Sequence, residues 1–326
     1  MAKLPTIAVC YLAGVDSTQI EERLGPSRIT DALPDHPILD MRDRTPADLG
    51  DNERTRTAEV EIAFILDMPD YIFEAFPNLQ WIHSLMTGHD HIPLDELRKR
   101  GIRLTNGAGT AATEIAEFVI ARILEHWKRL PQIAAQQVEH RWHPAFGRAL
   151  SDCDVVLVGY GPINQEVARL LAPFGVKLTA IRRSADAPSP GTSRTVSFAD
   201  MNGALSGADV VVAAVPSNPD TTGLFGAEAF AAMKPGCFFV NVGRGTAVVE
   251  ADLIRSLSSG HLGGAALDVT SEEPLPADNP LWDSAARISP HSSATLANTM
   301  RRVHDLFIRN VGLYSAGARL DNEVEI

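Results

Sequence analysis

The second half of the chain alternates short apolar runs with helical patterns, and this alternation constrains the fold more than any other feature. The runs are rich in Val and Ala and contain almost no polar residue, for example at 155–158 and 210–215. Strands without a polar face are typical of a parallel sheet that helices cover on both sides. We therefore predict a doubly wound α/β domain. Its strands are expected at 155–158, 177–181, 210–215, 238–242, 265–269 and 287–289, and its helices at 163–174, 198–205, 227–233 and 250–258.

The first hundred residues repeat the alternation less regularly. A chain of 326 residues has room for two domains, so two domains are the default expectation. A broad apolar stripe then predicts one long helix at 113–130. The remaining predictions are strands at 6–12, 63–66, 79–85 and 102–105, a helix at 94–100, a connector at 131–151 and a final helix at 297–315.

Composition excludes several classes of protein. Acidic residues outnumber basic ones by 41 to 29, the net charge is −12, and no Lys/Arg run occurs, which argues against a nucleic-acid partner. No apolar stretch reaches the roughly 18 residues that suggest a membrane span. Cys10, Cys153 and Cys237 lie far apart without the spacing of zinc ligands. We therefore expect free thiols in a reducing, cytoplasmic environment and no metal site.

A glycine-rich turn follows the predicted strand at 155–158. Residues 159–164 read Gly-Tyr-Gly-Pro-Ile-Asn, and a helical pattern begins at once. In dinucleotide-binding units such glycines let the backbone approach the pyrophosphate, which faces the N-terminus of the helix. Asn164 replaces the usual third glycine, and we expect it to loosen the packing there. The predicted cofactor contacts at this turn are Tyr160, Gly161, Pro162 and Ile163.

Basic side chains end the next predicted strand. NAD-binding units usually carry an acid about 20 residues after the glycines, where it bonds the ribose 2′-hydroxyl. Here Arg182 stands in that region, with Arg183 and Ser184 behind it. Because guanidinium groups pair well with phosphate, these residues predict a preference for NADP(H), with NAD(H) as the alternative cofactor. The competing interpretation is a solvated basic turn, which would not discriminate between the two.

Three further polar residues lie at the ends of predicted strands: Arg244 between two glycines, Asp268, and His291 after a proline. The carboxyl ends of strands form the ligand-binding edge of an open α/β sheet. An arginine can hold an anionic oxygen, and a histidine can exchange a proton. Together they suit hydride transfer between a nicotinamide and a small acid. A lone histidine is usually structural, and we assign that role to the other nine.

With these residues the chain resembles the D-isomer-specific 2-hydroxyacid dehydrogenase family over nearly its whole length. Within that family, Arg182 in place of an aspartate resembles the NADP-preferring glyoxylate/hydroxypyruvate reductases. The motifs that carry the resemblance are Gly88-His89-Asp90-His91, Thr105-Asn106-Gly107, Ala116-Glu117, the turn at 159–161, the segment 215–221, the run from Met233 through Arg244 to Leu275, and Pro290-His291.

The resemblance implies a role for each catalytic candidate. Arg244 would bind the carboxylate and carbonyl groups of a 2-oxoacid. His291 would be the acid in reduction and the base in oxidation. Glu273 would hydrogen-bond His291 and keep it protonated. The predicted reaction is NAD(P)H-dependent reduction of glyoxylate, hydroxypyruvate or a similar 2-oxoacid to the D-2-hydroxyacid.

Binding residues are implied in the same way. Asp268 would meet the nicotinamide carboxamide, and backbone amides around Thr87 and Gly88 would cradle the substrate carboxylate, where Arg244 and His291 also contact the substrate. Further cofactor contacts carried over from the family are Val215, Pro216, Thr221, Val242 and Gly243.

The resemblance also implies two Rossmann-like parallel-sheet domains. A discontinuous, flavodoxin-like substrate domain would comprise 1–105 and 296–326, and a dinucleotide-binding Rossmann domain would comprise 106–295. The cofactor domains would form a homodimer, with neither nucleic acid nor membrane as a partner.

Two other functions fit the same fold. A formate dehydrogenase would carry glutamine as the partner of the histidine, so Glu273 argues against it. A corepressor-like protein that binds NAD(P)H as a conformational ligand would be favoured by additional partner-binding segments, and we see none in this sequence.

Overall fold

The computed structural model describes residues 4–10, 29–42, 44–294 and 296–326. The chain divides into two compact units, Met1–Ala111 with Thr295–Ile326, and Ala112–Ala294. Each unit contains one sheet whose strands are all parallel. The predicted fold class, two α/β domains built on parallel sheets, is confirmed.

The first unit holds a five-stranded sheet in the order β2-β1-β3-β4-β5, the flavodoxin-like arrangement. Its fourth helix begins with acids and ends with bases before a left-handed Gly101, which suits the helix dipole and closes the helix. The elements are β1 Thr6–Cys10, α1 Ile29–Ala32, β2 Ile38–Asp40, α2 Asp51–Thr57, β3 Val60–Ile65, α3 Ile72–Ala75, β4 Trp81–Ser84, α4 Leu94–Arg100 and β5 Arg103–Asn106.

A buried polar cluster lies inside this sheet's core. Trp81 Nε1 donates to Thr105 Oγ1 at 2.9 Å, and His83 Nδ1 lies 2.7 Å from the same oxygen. Burial lowers the pKa of His83 to about 3. His83 is therefore a neutral core residue and takes no part in the chemistry at the sheet edges.

The second unit holds a seven-stranded sheet in the order β12-β11-β10-β9-β6-β7-β8. The chain starts in the middle, at β6, builds outward to β8, and then crosses to β9 on the other side. The elements are α5 Ala112–Trp127, α6 Leu130–Val138, β6 Asp154–Val158, α7 Pro162–Leu171, β7 Lys177–Arg182, β8 Arg194–Ser197, α8 Met201–Leu205, β9 Val210–Ala213, α9 Ala227–Ala232, β10 Phe238–Asn241, α10 Glu250–Ser258, β11 Gly264–Leu267 and β12 Ala286–Ile288.

This order places a topological switch point between β6 and β9, where ligands bind in open α/β sheets. The glycine-rich turn follows β6, so the switch point and the predicted cofactor turn coincide.

The long helix was predicted at 113–130, and the predicted C-terminal end is wrong. The helix α5 stops at Trp127, and Arg129 takes a left-handed conformation with φ 53°. Pro131 then occupies the first turn of α6, where a missing amide donor has no cost. The region 131–151, expected as a connector, therefore contains helix as far as Val138.

The final helix, α11, spans Leu296–Ser315 and belongs to the first unit. Its buried Phe307 lies 5.4 Å from the Trp81 ring, measured between centroids. Among the described helices, none combines the length and apolar character needed to cross a membrane.

Candidate active site

The glycine-rich turn leaves open space at one glycine and close contact at the other. Gly159 has φ +81°, and a Cβ there would lie 2.7 Å from the carbonyl oxygen of Ala214 at the end of β9. Only glycine fits at such a position. A Cβ on Gly161 would meet no protein atom within 4 Å. Bare backbone beside open space, at the N-terminus of α7, suits a pyrophosphate.

Asn164 does not loosen this turn as the sequence led us to expect. Its side chain is fully buried, and Nδ2 lies 2.7 Å from the Gly159 oxygen and 3.2 Å from the Val158 oxygen. A third, longer contact of 3.4 Å reaches the Val212 oxygen on β9. The carboxamide therefore ties α7 to the ends of two strands, a role that glycine could not have.

Replacing Asn164 with alanine is expected to lower the free energy of unfolding by about 1–3 kcal/mol. The reason is that a buried carboxamide and its bonds to Val158 and Gly159 are lost, while alanine remains favourable in a helix. Urea denaturation measures the change. Asn202→Ala is the matched control, because the Asn202 side chain makes one exposed bond, to Glu228, and should change stability by less than about 0.5 kcal/mol. Equal effects of the two substitutions would contradict the role of Asn164.

A cavity of about 670 Å³ lies beside the turn. Arg182 borders it and donates from Nη1 to the Pro188 oxygen at 2.6 Å. Eight of the predicted cofactor residues line the cavity: Tyr160, Gly161, Arg182, Arg183, Ser184, Val215, Pro216 and Thr221. Five do not line it: Pro162, Ile163, Val242, Gly243 and Asp268. The sequence missed Ser197, Phe198, Asn218 and Asp220, which do.

The loop after β9 is closed by its own side chains. The Thr221 hydroxyl donates to the Pro216 oxygen at 2.6 Å, and Asn218 Oδ1 accepts from the backbone amides of Asp220 and Thr221. Thr221 is buried, so its hydroxyl has a structural partner in the loop. The result is a preformed wall for the cavity.

Buried Asn241 shapes the turn that carries Arg244. Asn241 Nδ2 donates to the Arg244 oxygen at 3.0 Å, and its Oδ1 accepts from the Gly243 amide at 3.1 Å. A Cβ on Gly245 would lie 1.8 Å from the Thr270 oxygen, so the backbones touch there and exclude any other residue. We did not identify Asn241 from the sequence. Its one signal is that it is the polar residue at the end of an apolar strand.

His291 and Glu273 form the predicted pair. His291 Nδ1 lies 2.8 Å from Glu273 Oε2, and the other carboxylate oxygen accepts from the Thr270 amide at 3.0 Å. The His291 side chain is 55% exposed. Since Nδ1–H donates to the carboxylate, Nε2 remains the nitrogen that can exchange a proton with a bound molecule.

Asp268 anchors the loop that carries His291. Its buried carboxylate accepts from the Ser289 hydroxyl at 2.7 Å and from the backbone amides of Ser292 at 3.0 Å and Ser293 at 3.1 Å. The Asp268 backbone oxygen also accepts from the His291 amide at 2.9 Å. These bonds fix the loop that carries His291 to the end of β11.

Three neighbouring strands bring these residues to one edge of the sheet. Arg244, Asp268 and His291 follow β10, β11 and β12, which are paired in that order. Adjacent strands lie about 4.8 Å apart, so the loops after β10 and β12 begin about 10 Å from each other. This edge can bind an anionic oxygen and supply a proton.

Thr87 and Gly88 belong to the first unit, after β4. Their backbone amides donate to no acceptor among the described residues. Asn106 fixes the loop by donating from Nδ2 to the Thr87 oxygen at 2.8 Å. Two free, adjacent amides on a fixed loop form a suitable site for a carboxylate.

Comparison with known proteins shows the family to which the chain belongs. The sequence model of the D-isomer specific 2-hydroxyacid dehydrogenase NAD binding domain matches residues 120–293, over half of the chain. A glyoxylate reductase/hydroxypyruvate reductase from Mus musculus is 32% identical over 256 residues, which cover 76% of this chain and 78% of that one.

Solved structures agree along almost the whole length. A D-isomer specific 2-hydroxyacid dehydrogenase from Xanthobacter autotrophicus Py2, in complex with NADPH and MES, superposes with a TM-score of 0.82 at 28% identity and covers 99% of this chain and 98% of that one. An NADPH-dependent glyoxylate/hydroxypyruvate reductase from Sinorhizobium meliloti gives a TM-score of 0.82 at 26% identity, with 98% of each chain covered.

Proposed function

Because the chain belongs to the D-isomer specific 2-hydroxyacid dehydrogenase family, we propose that it reduces a small 2-oxoacid with NADPH. The candidate reactions are glyoxylate to glycolate, hydroxypyruvate to D-glycerate, or a similar oxoacid to its D-2-hydroxyacid. The observation that carries the proposal is the His291–Glu273 pair at the strand edge that also presents Arg244. These side chains provide what a 2-oxoacid needs: a cation for its oxygens and a proton donor for its carbonyl.

The nicotinamide cofactor, when bound, supplies hydride to the carbonyl carbon of the oxoacid. The turn at 159–161 and Arg182 would hold its pyrophosphate and 2′-phosphate, and the geometry of both fits that use. Asp268 would meet the nicotinamide carboxamide, as the resemblance to the family implies.

The protein's own groups position the substrate and move the proton. The Arg244 guanidinium holds the carboxylate and polarises the carbonyl oxygen. His291 delivers a proton from Nε2 to that oxygen as the carbonyl is reduced, which leaves the imidazole neutral. Glu273 orients the ring through Nδ1 and balances its positive charge until that proton leaves. In the reverse direction His291 takes the proton back.

The direct test is NADPH consumption with a panel of 2-oxoacids. The panel contains glyoxylate, hydroxypyruvate, pyruvate and a bulkier branched oxoacid, and each reaction is followed by the loss of NADPH absorbance. We expect activity with glyoxylate, hydroxypyruvate or both. Formate with NADP⁺ serves as the negative arm. Turnover of formate alone would overturn the proposal.

We propose that NADPH is preferred over NADH by at least about tenfold in kcat/KM. One charge-assisted bond to the 2′-phosphate supplies roughly this factor even when solvent screens it in part. Arg182→Asp should erase or reverse the preference, because a carboxylate repels phosphate and can accept from a ribose diol. Steady-state kinetics with both cofactors measures the ratio, and Arg194→Asp, at the exposed start of β8, is the matched control. Equal use of both cofactors by the wild type would exclude this role for Arg182.

We also propose a homodimer formed through the segment 130–146. Within the described residues, this segment exposes Trp142 and Phe146 at 102% and 85%, together with Leu130, Ile133 and Val138. A cluster of large apolar side chains exposed to solvent indicates a protein–protein interface. Light scattering should give a dimer mass for the wild type and a monomer mass for Trp142→Ser/Phe146→Ser. Trp282→Ser, elsewhere on the same unit, should leave the mass unchanged.

Two further assignments concern the compartment and the role of the first unit. We propose a cytoplasmic protein, because all three cysteines are free and buried, as thiols are in reducing compartments. We propose that the first unit is the substrate domain, because it presents the free amides of Thr87 and Gly88.

A further inference from the structure

A short loop lies beside the cofactor cavity, which Ala187 helps to line. Residues 187–191 read Ala-Pro-Ser-Pro-Gly and lie within the connection from β7 to β8. The loop is held at its far end, where Ser193 bonds the Leu178 oxygen through both its amide, at 2.9 Å, and its hydroxyl, at 2.8 Å. It is also closed internally, since Thr192 Oγ1 donates to the Ser189 oxygen at 2.8 Å.

Two side chains from the cavity wall donate to this loop. Arg182 donates from Nη1 to the Pro188 oxygen at 2.6 Å, and the Tyr160 hydroxyl donates to the Pro190 oxygen. Tyr160 is the middle residue of the glycine-rich turn and is 4% exposed. The loop therefore connects the turn that faces the pyrophosphate to the arginine that faces the 2′-phosphate.

The bond from Arg182 uses one of its five N–H donors. It fixes the guanidinium at the cavity without consuming its capacity for a phosphate. A side chain that is ordered before the ligand arrives loses less conformational entropy on binding. The position of the Pro188 oxygen thus decides how well Arg182 is ordered, and the hydroxyl of Tyr160 decides how firmly the loop holds that oxygen.

We propose that Tyr160 is a positioning residue for cofactor choice, which acts through the loop 187–191 on Arg182. The inference rests on the proposed preference for NADPH and deepens it. Tyrosine is needed for its hydroxyl, since phenylalanine would fill the same buried space and leave the Pro190 oxygen without its donor.

Binding of cofactor fragments tests this without turnover. The probes are adenosine 2′,5′-bisphosphate and adenosine 5′-monophosphate, titrated by calorimetry into the full chain. The dissociation constant of the monophosphate divided by that of the bisphosphate measures the contribution of the 2′-phosphate to binding. Tyr160→Phe should lower that ratio by about three- to tenfold, because the Arg182 side chain becomes mobile before the ligand binds. Pro188→Gly, which loosens the loop from the other side, should shift the ratio in the same direction.

The double variant separates action through Arg182 from a direct contact. In the Arg182→Ala background, Tyr160→Phe should cause no further loss of discrimination, because coupled residues are not additive. Tyr314→Phe, which removes a hydroxyl in the first unit, is the matched control and should leave the ratio at the wild-type value.

The outcomes distinguish the two proposals. A wild type that binds both fragments equally overturns the cofactor preference and this inference with it. A wild type that discriminates while Tyr160→Phe keeps the full ratio overturns the inference alone. An equal loss from Tyr160→Phe in both the wild-type and Arg182→Ala backgrounds also overturns it, because Tyr160 would then act independently of Arg182.

Discussion

Replacing His291 with alanine is expected to lower kcat by about 10²–10⁴-fold, the usual contribution of a general acid. The imidazole is the proton donor in the proposed mechanism, and its Nδ1 is occupied by Glu273 at 2.8 Å. NADPH binding should persist, because His291 does not line the cofactor cavity. Steady-state rates with saturating oxoacid and NADPH, and a separate fluorescence titration of NADPH, measure the two quantities.

Two variants control this result. His36→Ala removes a histidine of the first unit that contacts the Pro5 oxygen. The kcat of this variant should stay within about twofold of the wild-type value. Glu273→Gln keeps the shape of the partner but removes its charge, so an intermediate loss is expected. A His291→Ala variant that retains more than about a third of kcat would remove His291 from the mechanism.

Replacing Arg244 with lysine is expected to lower kcat/KM for the oxoacid by about 10²-fold. An ammonium lacks the planar fork that pairs two N–H donors with a carboxylate, and one lost bond to a charged group costs about 1.5–3 kcal/mol. KM should rise and kcat should fall, because the carbonyl oxygen is polarised by the same group. Steady-state kinetics at fixed, saturating NADPH separates the two parameters.

Arg287→Lys is the matched control, since Arg287 lies exposed on β12 of the same sheet. Its kinetics should equal those of the wild type. If Arg244→Lys weakened NADPH binding and left the KM for the oxoacid unchanged, Arg244 would belong to the cofactor site instead.

Sequence patterns predicted the elements that carry strong periodicity. The helices at 94–100 and 250–258 have the bounds the sequence indicates, and the buried strands differ by a few residues. The short strands β2 and β8 were missed because each is three or four residues long and partly exposed, so neither forms an apolar run. The break before α6 was missed because it depends on the left-handed Arg129, which no spacing reveals.

Part of the candidate site was predictable from the sequence and part was not. Residues at strand ends were predicted because a parallel sheet gathers those ends on one edge, which is why Arg244, Asp268 and His291 could be named. Hydrogen bonds across loops could not be predicted in this way. The anchoring of Asp268 by Ser289 and the bonds of Asn164 are therefore visible only in the structure.

Transfer of deuterium from cofactor to product tests the central proposal most directly. NADPH labelled with deuterium at C4 of the nicotinamide, on each face in turn, is incubated with hydroxypyruvate, and the product is resolved by chiral chromatography and mass spectrometry. The proposed mechanism predicts D-glycerate with one deuterium at C2 from one labelled face and none from the other. L-glycerate, or a product without deuterium from either face, would contradict it.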